Sequence, residues 1–352
     1  MTKNSQFEVR LANIPTKIWS KITKIDEAKG RWVGGVNLSP QILGRLKKSV
    51  LITSAGASTR IEGSKLTDEE VEKMMQRVKP SKWESRDEQE VRGYYELLKN
   101  VFDSWEVVSF NESTVKHFHK ELLKYVEKDK RHRGEYKKTE NTVNMLDEKG
   151  NVIGVVFKTV PAYLTPKNMQ ELADWTRMAL EQKKIHPLLV VGNFIVEFLN
   201  IHPFQDGNGR LSRILTNLLL LKEGYLYMPY VSHEKFVEDN KNDYYIALRR
   251  SQKTFGKKED ITAWLDFFLT TILKQSEMAL ELLESEQVEK LLSRKQLSVW
   301  EYLQTVAEAA PGEIVKKTKV ARPTVNQSLV KLLKLKKIEK IGSGRGTRYR
   351  KL

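Results

Sequence analysis

Residues 202–213 read HPFQDGNGRLSR, and most of the side chains that could do chemistry stand within these twelve positions. Gly207, Asn208 and Gly209 form a stretch whose backbone can take positive φ and turn successive N–H groups into a concavity that suits an anion. The stretch opens an apolar segment with helical spacing, so the unpaired amides and positive dipole end of a helix start would favour the same anion. Arg210 and Arg213 are three apart on that first turn, hence on one face, and both can grip phosphate bidentately. Asp206 is a hard oxygen ligand suited to Mg²⁺. His202 ends the preceding apolar segment and can act as a general base near neutral pH. Each feature alone is ordinary, since Gly-Asn-Gly is usually only a turn. A base, a metal ligand, an anion nest and two arginines within twelve residues together point to phosphoryl-type chemistry on a nucleotide. The stretch is not a P-loop, because G-x-x-x-x-G-K-S/T does not occur in the chain.

The twelve residues match the Fic motif, H-P-F-x-D/E-G-N-G-R-x-x-R, at every fixed position, so the chain resembles the Fic family. The resemblance implies a helical core that transfers AMP from ATP to a Ser, Thr or Tyr hydroxyl of a protein. It implies His202 as the base, Asp206 as the Mg²⁺ ligand, and Gly207, Asn208, Gly209, Arg210, Leu211, Ser212 and Arg213 as the ATP-binding run. Gly207, Asn208 and Gly209 would line the anion hole, and Arg210 and Arg213 would stabilise the β- and γ-phosphates. No covalent enzyme intermediate is implied, which agrees with a chain that has no Cys and no recognisable nucleophile motif.

Three further regions are similar to the family. Residues 139–160 read as two β-rich runs around 147–151, a hairpin in the place of the flap that registers a target backbone by strand addition. Phe157, Lys158 and Thr159 would be its pocket edge, while Lys137-Lys138-Thr139 and the long turn depart from the lead-in of many Fic enzymes. Tyr244 and Tyr245, with Gln252 on the same helical stretch, resemble the adenine-side wall. Ser58-Thr59-Arg60-Ile61-Glu62-Gly63 fits the inhibitory pattern S/T-x-x-x-E-G/N. The implied brake pairs Glu62 with Arg213 in the space that the γ-phosphate needs, with Ser58 as the other fixed position. A misplacement of about 1 Å can cost about 10²-fold in such a reaction.

Period-3.6 patterns supply the elements that must hold these residues. They predict helices over 16–29, after Pro40, from Thr67 with Glu70 as a capping box, and over 86–101, 112–127, 167–183, 187–200, 209–223, 233–252 and 259–284, with a charged linking helix over 285–293. The segment after 29, GRWVGG with its three glycines and then NLSP, is expected to break the first helix.

The chain has 352 residues and a formal charge of +16. Residues 311–352 hold 13 Lys and Arg against Glu313 and Glu339, a net +11, which leaves +5 for the rest. Residues 295–352 read as three short helices and a two-stranded hairpin around a Gly/Arg turn, a pattern that resembles a winged helix-turn-helix. Arg322, Thr324, Asn326 and Gln327 would face DNA bases and phosphates at the front of the recognition helix. Arg345, Arg348 and Arg350 on the wing would suit backbone phosphates. A 40% apolar content is enough for a packed core. The lack of Cys excludes disulfides, thiolate catalysis and Cys-ligated zinc. No apolar run approaches the roughly 18–20 residues of a membrane span, and the first residues have no signal-peptide pattern.

The expected fold is mainly α: a Fic-type helical core with a β-hairpin flap, plus a small C-terminal winged-helix domain of α+β type. The expected organisation is an N-terminal helical region over 1–100 with the inhibitory segment 58–63, a catalytic core over 101–285, and the winged helix over 295–352. The expected function is a protein adenylyltransferase, with Mg²⁺ as cofactor and ATP as co-substrate, held back by Glu62. Its expected partners are a hydroxyl-bearing protein (the chain itself among the candidates), DNA through the C-terminal domain and a second copy of the chain, in a cytoplasmic setting without a membrane. Two alternatives stay open: a DNA-binding regulator whose core senses nucleotide or partner, and an enzyme that removes AMP, with Glu62 orienting a water.

Overall fold

The computed structural model describes residues 6–36, 38–76, 85–146, 152–335, 337–342 and 344–352, with the side chains of 142–146, 152–158, 284–291 and 345 outside that description. The chain divides into two compact units, residues 1–280 and 281–352.

In the first unit, α1 (Gln6–Val9), α2 (Thr16–Gly35), α3 (Pro40–Ile61), α4 (Asp68–Gln76), α5 (Arg86–Ser104) and α6 (Glu112–Leu122) precede an antiparallel hairpin. Its strands, β1 (Thr142–Leu146) and β2 (Val152–Lys158), pair Thr142 with Lys158 and Leu146 with Val152, with two register shifts between. The turn residues 147–151 lie outside the described residues. Then come α7 (Thr165–Gln182), α8 (Pro187–Ile201), α9 (Asn208–Lys222), α10 (His233–Asp239), α11 (Lys241–Gln252) and α12 (Thr262–Leu291). The helix α8 is apolar all round, and nearly all its residues are buried, which makes it the centre of the unit. Around it, α7 and α9 pack on α8, while α3 packs on α5 and α10. Among the described residues no helix is long and apolar enough to cross a membrane.

The mainly helical class with one hairpin agrees with expectation, and the differences have physical causes. The helix α2 does not break at GRWVGG but runs on to Gly35, because Trp32 is buried and stacks on Tyr230 with ring centroids 5.5 Å apart. Packing here outweighs the roughly 1 kcal/mol that a helical glycine costs. The stretch 233–252 is two helices parted at Asn240, and residues 112–127 are helical only to Leu122. The small-residue run before Glu62 is the end of α3, where Ser54, Ala55, Gly56, Ala57 and Ser58 are all buried. Thr67 and Glu70 do form a reciprocal cap, at 2.8 and 3.3 Å.

The second unit contains α13 (Arg294–Gln304), α14 (Pro311–Thr318), α15 (Arg322–Lys334) and an antiparallel pair, β3 (Ile338–Ile341) with β4 (Arg348–Lys351). It has its own core around Trp300, Leu303, Ile314, Val325, Leu329 and Leu332. Ala309 and Tyr349 exchange two backbone hydrogen bonds of 2.9 Å, tying the loop before α14 to the hairpin.

Gly93 allows α5 to touch α6: a Cβ there would run into the Leu122 carbonyl oxygen. Gly93→Ala is expected to destabilise the first unit by about 1–3 kcal/mol through overpacking, read as a lower urea midpoint with the denaturant slope unchanged.

Candidate functional site

The site is built where α8 ends and α9 begins. The N–H of His202 donates to the Phe198 carbonyl at 2.9 Å, and His202 itself takes φ 51°, ψ 61° in the left-handed region. Pro203 then prevents the helix from continuing. The ring Nδ1 stands 3.4 Å from the Leu199 carbonyl oxygen. A carbonyl only accepts, so Nδ1–H is the donor and the ring lone pair sits on Nε2. Burial, reinforced by the charge of Lys137, lowers the imidazole from 6.5 to about 4, so His202 is neutral at pH 7.

The loop is held by its own side chains. Asn208 accepts from the Phe204 N–H at 2.9 Å and donates back to the Phe204 carbonyl at 2.7 Å. Gly207 has φ 79° and is the N-cap of α9, with no side chain capping the helix. The first intrahelical bond runs from the Leu211 N–H to the Gly207 carbonyl at 2.9 Å. The amides of Asn208, Gly209 and Arg210 are therefore the open donors of the helix start. The side chain of Leu211 lies in the core, and the Ser212 hydroxyl donates to the Gly209 carbonyl at 2.7 Å.

The two arginines of the loop have different partners. Arg213 is buried, and its Nε donates to the Ser58 hydroxyl at 2.8 Å. Its Nη2 donates to the Ser58 carbonyl at 2.9 Å and to Glu62 Oε1 at 2.7 Å. The carboxylate of Glu62 sits so close to the start of α9 that a Cβ on Gly209 would collide with it. Ser58 and Glu62 are four apart on α3, hence on one face. Gly63, at φ 108°, ends α3 in a Schellman turn, with Gly63 N–H to Arg60 O and Ser64 N–H to Thr59 O both at 3.1 Å. That turn leaves Glu62 at the helix end, facing Arg213. Arg210, also buried, pairs with Glu90 at 2.8 Å and with Asp206 at 3.0 Å.

Asp206 Oδ1 accepts from the Gly207 N–H at 2.7 Å, and Oδ2 pairs with Arg86 at 2.6 Å. Burial pushes the Asp206 carboxyl up, but Arg210, the Gly207 amide and Arg86 outweigh it and hold the group ionised, below the usual range. Among the described residues no group of three or more His, Cys, Asp or Glu could hold a metal. A single ionised, part-exposed carboxylate fits an Mg²⁺ ion only where phosphate oxygens complete the shell.

Two supporting residues were not singled out from the sequence as part of the site. His119 is fully buried and stacks on Phe204 at 3.8 Å and 7°. Its Nδ1 accepts from the Gly134 N–H at 2.9 Å, so Nε2–H must donate to the Asp206 carbonyl at 3.0 Å. Lys137 is buried, and its Nζ donates to Asn141, Thr159 and the Ile201 carbonyl at 2.8–2.9 Å. Burial lowers this amine to about 8. Lys137, Asn141 and Thr159 stitch the base of the hairpin to the chain just before His202. Only packing geometry reveals both roles, since a lone His and a lone Lys carry no motif.

Thr159, expected at a pocket edge, is buried in that stitch, while the side chains of Phe157 and Lys158 lie outside the described residues. Tyr244 is 4% exposed and packs edge-on against Tyr245, Trp264 and Phe267, so it is part of the core. Tyr245 is half-buried and Gln252 buried, seven apart and so on one face of α11. Neither amide atom of Gln252 has a hydrogen-bond partner. In the second unit Arg322, Asn326 and Gln327 are exposed, and Thr324 is half-buried. Arg348 pairs with Glu308 at 2.8 Å and Glu313 at 3.0 Å, and Arg350 pairs with Glu339; the Arg345 side chain is outside the described residues.

Residues 109–220 match the family model described as Fic/DOC family. A Fido domain-containing protein of Dictyostelium discoideum is 34% identical over 114 residues, covering 30% of this chain and 72% of that protein. The chain belongs to the Fic/DOC family. A probable protein adenylyltransferase of Aquifex aeolicus is 34% identical over 86 residues, which is 24% of this chain and only 26% of that protein. The crystal structure of a Fic family protein from Desulfovibrio desulfuricans aligns over 97% of both chains, with a TM-score of 0.62 and 24% identity, a likeness of fold.

The buried histidines make stability depend on pH. Burial lowers His119, His202 and His233 to about 4 from 6.5. Their native forms are neutral, so the unfolded chain binds protons first as pH falls below 6.5. Stability is then lost progressively down to about pH 4, by up to about 1.4 kcal/mol per pH unit for each histidine. Urea midpoints should fall between pH 7 and pH 5. His119→Phe should be less stable at pH 7 but lose less on acidification; an unchanged pH slope would show that His119 is not buried neutral.

Proposed function

We propose that the chain transfers AMP from ATP to a Ser, Thr or Tyr hydroxyl of a protein, and that Glu62 restrains the reaction. The observation that carries this reading is the pairing of Glu62 with Arg213 beside the open amides of α9, which starts six residues beyond a neutral His202. The amides of Asn208, Gly209 and Arg210 would receive phosphate oxygens. Arg213, released from Glu62, would take the γ-phosphate. The target hydroxyl oxygen attacks the α-phosphorus, its proton passes to Nε2 of His202, and the bond to the leaving pyrophosphate breaks. Nearby phosphates raise the imidazole from its low unliganded value toward the range a base needs. Mg²⁺, held by Asp206 and phosphate oxygens, would neutralise charge on the leaving group. Gln252, with its unpartnered amide, and the adjacent Tyr245 face would meet the base.

While Glu62 holds Arg213, the γ-phosphate has no cation and the α-phosphate is misaligned. Glu62→Gly should therefore raise incorporation of AMP, labelled at the α-phosphate, by 10-fold or more (about 10²-fold as the upper scale for misalignment), seen as an added AMP mass on the intact protein. His202→Ala should abolish it in either background. Equal labelling of wild type and Glu62→Gly would remove the restraint, and release of AMP from a modified protein that needs Glu62 would reverse the assigned direction.

The second unit supports a separate reading as a winged helix that binds DNA. Its α15 buries Val325, Ser328, Leu329 and Leu332 and exposes Arg322, Asn326 and Gln327, with Lys316, Lys317 and Lys319 exposed just before it. Arg348 and Arg350 already have carboxylate partners, so phosphate contacts would come from this turn rather than from those two arginines. Arg322→Ala in the full chain should weaken retention on duplex DNA about 10-fold and lower its salt dependence. Undiminished retention would refute the assigned face.

A further inference from the structure

Arg86 is the first residue of α5, placed there by the Ser85–Glu88 capping box. The resemblance assigned it no role, yet it closes a ring of four charges on the metal ligand. Its Nε donates to Glu90 at 2.7 Å, and its Nη2 donates to Asp206 Oδ2 at 2.6 Å and to Asp129 at 3.2 Å. Glu90 passes to Arg210 at 2.8 Å, and Arg210 returns to the same Asp206 oxygen at 3.0 Å. The partners of Asp206 are thus two guanidinium groups on Oδ2 and a backbone N–H on Oδ1.

The two guanidinium groups are not alike. The Arg210 side chain is 3% exposed and clamped between Glu90 and Asp206, so it cannot leave. The Arg86 side chain is 44% exposed and that of Asp206 38%, so solvent reaches their contact and Arg86 can swing away, keeping Glu90 or Asp129. A part-exposed pair of this kind contributes little net stability, and a competing cation can displace it. At the other end of the loop Glu62 stands on Arg213, where a phosphate would stand.

We infer that Arg86 occupies the cation position on Asp206 and sets the Mg²⁺ requirement of nucleotide binding, a metal-side counterpart to Glu62 on the phosphate side. The inference rests on the nucleotide-binding reading above. A carboxylate in place of a phosphate and a guanidinium in place of a metal together reproduce the charge pattern of a metal–nucleotide complex. The site is therefore electrostatically satisfied by its own side chains, and Mg²⁺ and nucleotide would each have to displace one of them.

The test uses ADP, which lacks the γ-phosphate opposed by Glu62 and cannot donate AMP with loss of pyrophosphate. Calorimetric titration of the full chain with ADP over a series of Mg²⁺ concentrations gives the half-saturating Mg²⁺. Arg86→Gln should lower that concentration about 1.4- to 5-fold, the range set by loss of one part-exposed ion pair of about 0.2–1 kcal/mol. Arg86→Lys should fall between it and wild type, and ADP binding in EDTA should not change. Asp206→Asn should remove the Mg²⁺ dependence in every background. An unchanged or raised Mg²⁺ requirement in both Arg86 variants, each checked for a native melting profile, would overturn the inference. Weaker ADP binding in EDTA would overturn it differently, by making Arg86 a phosphate ligand. Absence of ADP binding in every variant at millimolar Mg²⁺ would overturn the nucleotide reading beneath it.

Discussion

Arg213 is a cation buried in the interior, and much of the first unit is arranged to satisfy it. An unpaired buried guanidinium would be very costly, so acceptors gather on its Nε and Nη2, while Nη1 has no hydrogen-bond partner. Ser58 supplies a hydroxyl and a carbonyl, and Glu62 supplies the counter-charge. This requires α3 to end against α9, the small residues of α3 to allow that approach, and Gly63 to end the helix immediately after the carboxylate. The same contact stands where the proposed function would place a phosphate. In the proposed function restraint and folding stability would share one ion pair, and an anion that replaces Glu62 would have to match it electrostatically.

The other half of the loop follows the same logic with the sign reversed. Asp206 is an ionised carboxylate beside Arg210 and Arg86, and its carbonyl is held by His119. His119 can do this only as the neutral Nε2–H tautomer, which its acceptance from Gly134 enforces. Stacking on Phe204 adds a second restraint, so the loop is fixed in both plane and direction. Lys137 does similar work below the hairpin, where it joins Asn141 and Thr159 to the Ile201 carbonyl next to His202. A site that depends on positioning needs this kind of support, because its catalytic groups supply little covalent chemistry of their own.

The two units differ in how their charge is used. Residues 311–352 carry +11 of the net +16, yet Arg348 and Arg350 are engaged with Glu308, Glu313 and Glu339. Lys316, Lys317, Lys319 and Arg322 are exposed around the turn between α14 and α15. Net charge singles out residues 311–352 but does not show which arginines are available to a partner. In the first unit the proposed anion site would rely on two buried arginines and a helix start, not on bulk charge.

Some of this was determined by the sequence alone. The motif His202 to Arg213, the S-x-x-x-E-G pattern ending at Gly63, the mainly helical class and the hairpin over 139–160 are local, and local spacing is what a sequence displays. The partners were decided by tertiary structure. Arg86 and Asp206 are 120 positions apart, Arg213 and Ser58 are 155 apart, and no periodicity links such distances. The same cause made GRWVGG look like a break, since the stacking of Trp32 on Tyr230 is a long-range contact. It also made Tyr244 look available to a ligand, when Trp264 and Phe267 bury it. Residue type and short spacing specify which groups can react. Only the folded chain decides which of them are already paired, because burial forces every charge to find a partner wherever the chain brings one.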